Sequence, residues 1–531
     1  MVTVLIATVL IATVLIAGTA STQTANKNMV VSYRDGYATL DPALGYDPQT
    51  WPAVKMLFDG LLDYKPGTSQ LEPRIAAAMP TVSKDGRTFT FKLRSDVRFT
   101  NGRQLTAKDV KYSLERVLNP ASKSPGSSFL TGIFGVKAFV QGRDTQVTGI
   151  VAPDAQTVQI RLIEPDATFL NVMAMNFAFI VPKEAVENAK PNFRRQPIGS
   201  GPFKLESWIA GKSAVFGRNP NYFRPGFPKL NRVTAKLGLD QTAAFAAFKR
   251  GEVDLLGDEL QSSEFLKAKN DPKLKAQLIS YPKGQIQYLG INTEMPPFNK
   301  LEVRQALNHA IDKQKLLEVI AGRGVIAQQI LPPTIPGHDP KYQGYNYDPS
   351  KARDLLKQAG FEQGFSSTIY TFATEPNPQI AKSIQSDLAQ IGIRTTIKTL
   401  DQPKLLEVAG TPKTVPLVLS YWIQDFPDPS VFYWPLLSCR SATQGEFNWS
   451  FACSKLFDQL ASKADQMADP TQREARALEY RDLFARLMQQ APWVPLLHSI
   501  RYTLHSARLT GEAFDFIDPV YVVAFERLSI K

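Results

Sequence analysis

The sequence predicts a mixed α/β chain, on three observations. Segments whose apolar residues alternate every second position are interleaved with segments carrying a 3.6-residue apolar stripe, from residue 29 to the end. No tandem repeat occurs beyond residue 17, and no Ser/Gly-rich linker sets independent domains apart. The 531 residues are 44% hydrophobic, enough for large buried cores and for about three domains' worth of chain. Interleaved strands and helices of this kind pack as layers.

The elements follow in chain order. Residues 3–17 read TVLIA three times, an uncharged run followed by Gly18, Thr19, Ala20 and Ser21. This pattern predicts a secretory signal peptide over 1–25, cleaved after Ala20 or near Ala25. A retained N-terminal anchor is the alternative, but the run is shorter than the ~18–20 residues a spanning helix needs. The first charge is Lys27, so the usual basic n-region is missing, and no cysteine follows the run to take a lipid anchor.

Met29–Tyr33 is strand-like, and Trp51–Leu62 reads as an amphipathic helix. Thr81–Leu93 reads as a hairpin turned at Asp85-Gly86, with Phe89, Phe91 and Leu93 on one face. Thr106 caps a helix, Asp109 sits near its positive end, and Val110, Leu114 and Val117 form its apolar face. Residues 198–223 form a Gly/Pro-punctuated strand pair. Thr242–Arg250 is a helix ended by Gly251, and Val253–Leu256 and Tyr288–Asn292 are strands. Val303–Ile320 reads as one helix. Ser350 caps another that ends at Gly360, and Ile380, Ile384, Leu388 and Ile391 stripe a third ended by Gly392. A strand continues to Leu400. Thr471–Gln489 is a helix, and Val494–Leu504 and Tyr521–Phe525 are late strands.

The net charge of +12 comes from scattered lysines and arginines. No basic stretch is interleaved with aromatics, so a nucleic-acid partner is not expected, and the excess reads as a soluble basic surface. Cys439 and Cys453 are the only cysteines. Their spacing fits neither CxxC nor a zinc site. It leaves open one local disulfide or two buried thiols, and the export leader favours the disulfide. Such a bridge contributes about 3 kcal/mol by loop entropy.

Enzyme motifs are missing. None of His309, His338, His498 and His505 sits in HExxH or within metal-ligand spacing of a cysteine, and there is no G-x-S-x-G elbow. Gly211-Lys212-Ser213 resembles the end of a phosphate loop, but Glu206 stands where the first glycine is required. Gly199-Ser200-Gly201 lacks the third glycine of a dinucleotide fingerprint. No catalytic residue, metal or cofactor is expected.

Five segments in register do point to a family. They are Val97-Arg98-Phe99-Thr100-Asn101-Gly102 with Leu105–Val110 and Ser113–Arg116; Ile198–Phe203 with Arg218-Asn219-Pro220-Asn221-Tyr222; Pro297-Phe298 with Val303–Leu307 and Ala310-Ile311-Asp312; Leu331-Pro332-Pro333; and Tyr421-Trp422 through Asp425 to Asp428-Pro429, with Phe432. Together they resemble the periplasmic dipeptide- and oligopeptide-binding proteins of bacterial ABC importers, from about residue 29 to the end. The cysteine pair falls where dipeptide-binding members carry a local disulfide.

The resemblance implies a two-lobed periplasmic-binding-protein fold of the large peptide-binding class. Lobe one would comprise 26–48, 196–270 and 497–531, with an extra subdomain over 49–195, and lobe two would comprise 275–495. Ligand would sit between the lobes. It also implies that Asp425 receives a peptide's α-amino group and that Tyr421 and Trp422 line the cleft, with Asp428 as a turn residue. A carboxylate is the right partner for a cation with three donors. Implied partners are short peptides, a permease pair and its ATPases. The chain is expected to act as an exported monomer, periplasmic or at the cell surface, without enzymatic activity.

One departure stands out. Dipeptide-binding members hold the ligand carboxylate with an arginine in a Pro-rich loop, and the matching loop here, Phe372–Pro378, carries Glu375 and no arginine. Strict dipeptide specificity is therefore not expected. Competing readings are the same fold holding a nickel chelate, haem, an oligosaccharide or an opine-like solute, and, from another class, a secreted hydrolase or chaperone.

Overall fold

The computed structural model describes residues 27–512, 515–516, 519–520 and 522–531; the leader expected over 1–25 lies outside them, as does Tyr521. Three larger sheets organise the chain. The first is five-stranded, in the order Leu255–Leu256, Asn28–Tyr33, Arg232–Leu237, Ser213–Arg218, Phe203–Ile209. Its strand Asn28–Tyr33 is buried at the expected positions Met29, Val31 and Tyr33, and both of its neighbours run parallel to it.

The second sheet is six-stranded, in the order Gly324–Ile326, Trp493–Leu504, Leu278–Ile291, Leu417–Ile423, Phe365–Phe372, Ile393–Leu400. Helices Leu301–Ala310 and Asn377–Ala389 cover it, and Leu307, Ile380, Ile384 and Leu388 are fully buried against it. The third sheet is four-stranded and antiparallel and contains the hairpin turned at Gly86, whose φ of +69° suits glycine. Phe89 and Phe91 point from it onto Val110 and Leu114 of helix Ala107–Leu118, in the same core. The start of that helix is a capping box: Asp109 Oδ2 accepts from Thr106 N at 2.9 Å, while Arg103 grips the same carboxylate.

Several boundaries differ from the sequence reading. The helix expected over Trp51–Leu62 is Thr50–Leu57, because Phe58 turns extended and Asp59 is taken by Arg74 at 2.7 Å. The expected Val303–Ile320 helix is two: Ile311 is extended, and Asp312 Oδ1 caps a second helix, Lys313–Val319, through Gln314 N at 3.0 Å. Asp348, not Ser350, caps helix Pro349–Gln358. The strand expected at Tyr288–Asn292 is the end of a 14-residue strand, Leu278–Ile291. Residues 522–525 are not a strand; Val523 and Phe525 simply fill the core under the first sheet.

Candidate functional site

Two long strands place the site. Leu278–Ile291 and Trp493–Leu504 pair antiparallel from Leu278↔Leu504 to Gly290↔Trp493. One end of this pair lies inside the six-stranded sheet. The other end docks on the first sheet, where Leu260 N donates to Tyr502 O (3.0 Å) and Ser506 N to Asp254 O (2.7 Å). Between the two sheets opens a cleft of about 580 Å³. Tyr33, Tyr46, Trp51 and residues 257–259 border it on the first-sheet side; residues 420–425, Phe372, Phe447 and Trp449 border it on the other. A second hollow of about 820 Å³ continues from it and shares Tyr46, Trp422, Asp425 and Phe447.

The three residues expected in a cleft all border this one. Tyr421 and Trp422 end the strand Leu417–Ile423, paired with Gln287 and Ile286. The Tyr421 ring lies 5.7 Å from Phe372, and Trp422 meets Phe447 edge-on at 5.5 Å. The Trp422 indole N–H is buried and has no hydrogen-bond partner among the described residues. Phe365–Phe372 pairs with this strand only at Leu417–Leu419, so the backbone edge of Ser420–Ile423 away from Leu278–Ile291 carries no neighbouring strand.

Asp425 follows immediately. Its Oδ1 accepts a 2.5 Å hydrogen bond from the hydroxyl of Tyr46, a residue 379 positions away on the opposite wall. Burial pushes the Asp425 carboxyl above its ordinary range, and the Tyr46 bond only partly counters this. No cation is paired with it among the described residues. Tyr46 is held by its ring against Trp51 (5.6 Å) and Phe177 (5.4 Å).

Asp428 is more than a turn residue. Its Oδ1 caps Ser430 N at 2.9 Å, and Arg476 bonds both of its oxygens at 2.6 and 2.9 Å. Burial pushes its pKa up, but the Arg476 charge together with the hydrogen bonds from Arg476 and Ser430 outweighs that and holds the carboxyl below its usual range.

Sequence reasoning missed Tyr46, Phe447, Trp449 and Arg501. Tyr46, Phe447 and Trp449 border the cleft from segments with no periodic signal, while Arg501 lies on an expected strand whose pattern does not say which residue faces a cleft. Phe447 and Trp449 lie inside the loop closed by the disulfide Cys439–Cys453, so the bridge constrains two aromatic walls of the cleft. That pairing was the one local signal that could have drawn attention to the loop. Glu375 does not border the cleft. No group of three potential metal ligands occurs among the described residues. His309 spends its Nδ1 on Asn346 O at 2.8 Å, and no described helix is long and apolar enough to cross a membrane.

The middle region of the bacterial extracellular solute-binding proteins, family 5, matches residues 70–444. The chain belongs to this family. Among family-5 relatives, Heme-binding protein A of Haemophilus influenzae is 30% identical over 96% of this chain and 94% of that protein. Glutathione-binding protein GsiB of Salmonella typhi is 29% identical over 92% of each. The Helicobacter pylori periplasmic binding protein DppA, solved in complex with the peptide STSA, aligns with a TM-score of 0.74 at 28% identity, over 95% of this chain and 98% of that one. The fold is that of the family-5 solute-binding proteins, and the cleft lies between the five-stranded and six-stranded sheets.

Proposed function

We propose that this family-5 protein captures short peptides by their free α-amino group and delivers them to the permease and ATPase subunits of an ABC importer. The observation that carries the reading is Asp425: a carboxylate in an interlobe cleft that accepts from one tyrosine hydroxyl and, among the described residues, pairs with no cation. An ammonium group supplies the missing positive charge and further donors. The open backbone edge at Ser420–Ile423 supports it, because an extended peptide can add there by main-chain hydrogen bonds whatever its sequence. Tyr421 and Trp422 give flat contact area with few rotamers to freeze.

In this reading the lobes are 26–48, 196–270 and 497–531 against 275–495, with 49–195 as the extra subdomain, and the crossing strands are the hinge. Ligand favours the closed state because it touches both walls only there. The protein works as an exported monomer, periplasmic or at the cell surface and without a lipid anchor, and performs no catalysis. The aromatic walls also suit a flat non-peptide solute such as haem, which one relative's name specifies.

Native mass spectrometry of the purified protein, followed by denaturing release, separates the two readings. A mixed set of short peptides is the expected result; a single porphyrin or other non-peptide solute overturns peptide capture.

A further inference from the structure

Arg501 stands on the crossing strand Trp493–Leu504, opposite Tyr281, and borders the cleft. A guanidinium has five donors in a rigid fork. Among the described residues, only Arg501 Nη2 is used, donating to the carbonyl of Gly257; Nε is buried and unpartnered. No carboxylate of the described residues forms an ion pair with this cation. The acids that face it, Asp258 and Glu259, are engaged elsewhere: Asp258 Oδ2 accepts from Arg34 N at 2.6 Å, and Glu259 takes Lys283 at 3.2 Å and Arg323 at 3.8 Å. The Tyr281 ring, 5.9 Å away, gives only a weak cation–π contact.

Two other deeply placed arginines are paired with acids: Arg74 with Asp59, Asp63 and Glu526, and Arg476 with Asp428 and Asp465. Arg304 has no carboxylate partner among the described residues either, but it lies away from the cleft and donates to three backbone carbonyls, those of Phe298, Asn299 and Gln490. An unpaired buried charge is expensive unless something completes it. A second unused donor lies beside Arg501. The Tyr33 hydroxyl is buried without a partner, borders the same cleft, and acts electrostatically on Arg501. Gly257 brings the two together: a Cβ there would stand 2.2 Å from Tyr33 Cε1, so glycine lets the ring pack against the residue whose carbonyl Arg501 holds.

We infer that Arg501 and Tyr33 form a cradle for a ligand carboxylate, replacing the arginine that the loop Phe372–Pro378 lacks. The inference rests on the peptide reading above. Asp425 and Arg501 follow or lie on strands that flank Leu278–Ile291 on either side. Across the sheet alone that is two strand spacings, about 10 Å, or about three residues of extended peptide, so a peptide that reaches both leaves the Ser420–Ile423 edge after its first residue and crosses the sheet. The cleft therefore has a negative end for the amine and a positive end for the acid.

The test is isothermal titration of one apolar tripeptide in three forms: free, N-acetylated and C-amidated. Wild type is expected to prefer the free acid over the amide by about tenfold or more. Arg501→Gln should erase that preference while keeping the preference for the free amine, Arg501→Lys should restore part of it, and Tyr33→Phe should reduce it a few-fold. An amide ending in Glu that binds like the free acid assigns the cradle to a side-chain carboxylate. Equal binding of acid and amide by wild type overturns the cradle even if Arg501→Gln fails to fold. If the amine preference survives that result, peptide capture stands; if no form binds, both readings fall.

Discussion

Asp425 and Asp428 are three residues apart in one Pro-rich turn, and the fold treats them in opposite ways. Asp428 is buried and saturated: Arg476 holds both oxygens, Ser430 N donates to Oδ1, and Asp465 with Tyr480 and Trp434 completes the network. Asp425 faces a cleft with a single tyrosine hydroxyl. The same contrast separates Arg476 from Arg501. A charge whose partners are all within the chain is there to hold the fold. A charge left short of partners beside a cleft is available to something that arrives.

The comparison is broken most forcefully at Arg476. Arg476→Met strands Asp428 and Asp465 and should cost about 3–5 kcal/mol in urea unfolding. The preference for free over acetylated amines should survive in whatever fraction remains folded. A variant of near wild-type stability would show that the saturated network does not carry the turn.

Opening the disulfide tests whether the cleft depends on its walls as well as its charges. Cys439→Ser with Cys453→Ser should lower stability by about 3 kcal/mol. Ligand affinity should fall too, because Phe447 and Trp449 lose their closed loop. Unchanged affinity would make the bridge a matter of stability alone.

Asp425→Ala addresses the unsaturated member. It should weaken free-amine peptides about 10–100-fold, or ~1.4–2.7 kcal/mol, and leave N-acetyl peptides nearly unchanged. Equal loss for both removes the anchor assignment.

The smallest effects are in pH, and their signs differ. The Asp428 pKa is held below its unfolded value, so it contributes stability above that value, lost as pH falls through the lowered folded one. The Asp425 pKa is raised, so the native state binds the extra proton, and stability is lost as pH rises through that window. Asp425→Asn should therefore make the unliganded protein slightly more stable at neutral pH, with no gain at pH low enough to protonate the wild-type carboxyl. Amine affinity should fall as pH drops through the raised value. Thermal melts of wild type, Asp425→Asn and Asp428→Asn from acid to neutral pH check the opposite slopes.

Much of this was legible in the chain. Helix faces such as Val110, Leu114 and Val117, the alternation of Met29, Val31 and Tyr33, and the turns at Gly86 and Gly251 are local consequences of side-chain period and backbone freedom. Helix breaks were harder. Asp312 interrupts an apolar stripe that continues on both sides, so periodicity alone reads through it. The run Tyr421-Trp422…Asp425 pointed to a cleft only through the family resemblance, since alone it reads as a Pro-rich turn with aromatic packing.

What sequence alone determined was the α/β class, the absence of catalytic motifs, the family resemblance and one side of the cleft. Tertiary structure decided which charges are spent. Arg476 lies 48 residues from Asp428, Tyr46 lies 379 from Asp425, and Arg501 meets Gly257 across 244 residues. No periodicity or spacing reports such distances, because hydrogen bonds and ion pairs act over a few ångströms in space, and only the folded chain settles which side chains come that close.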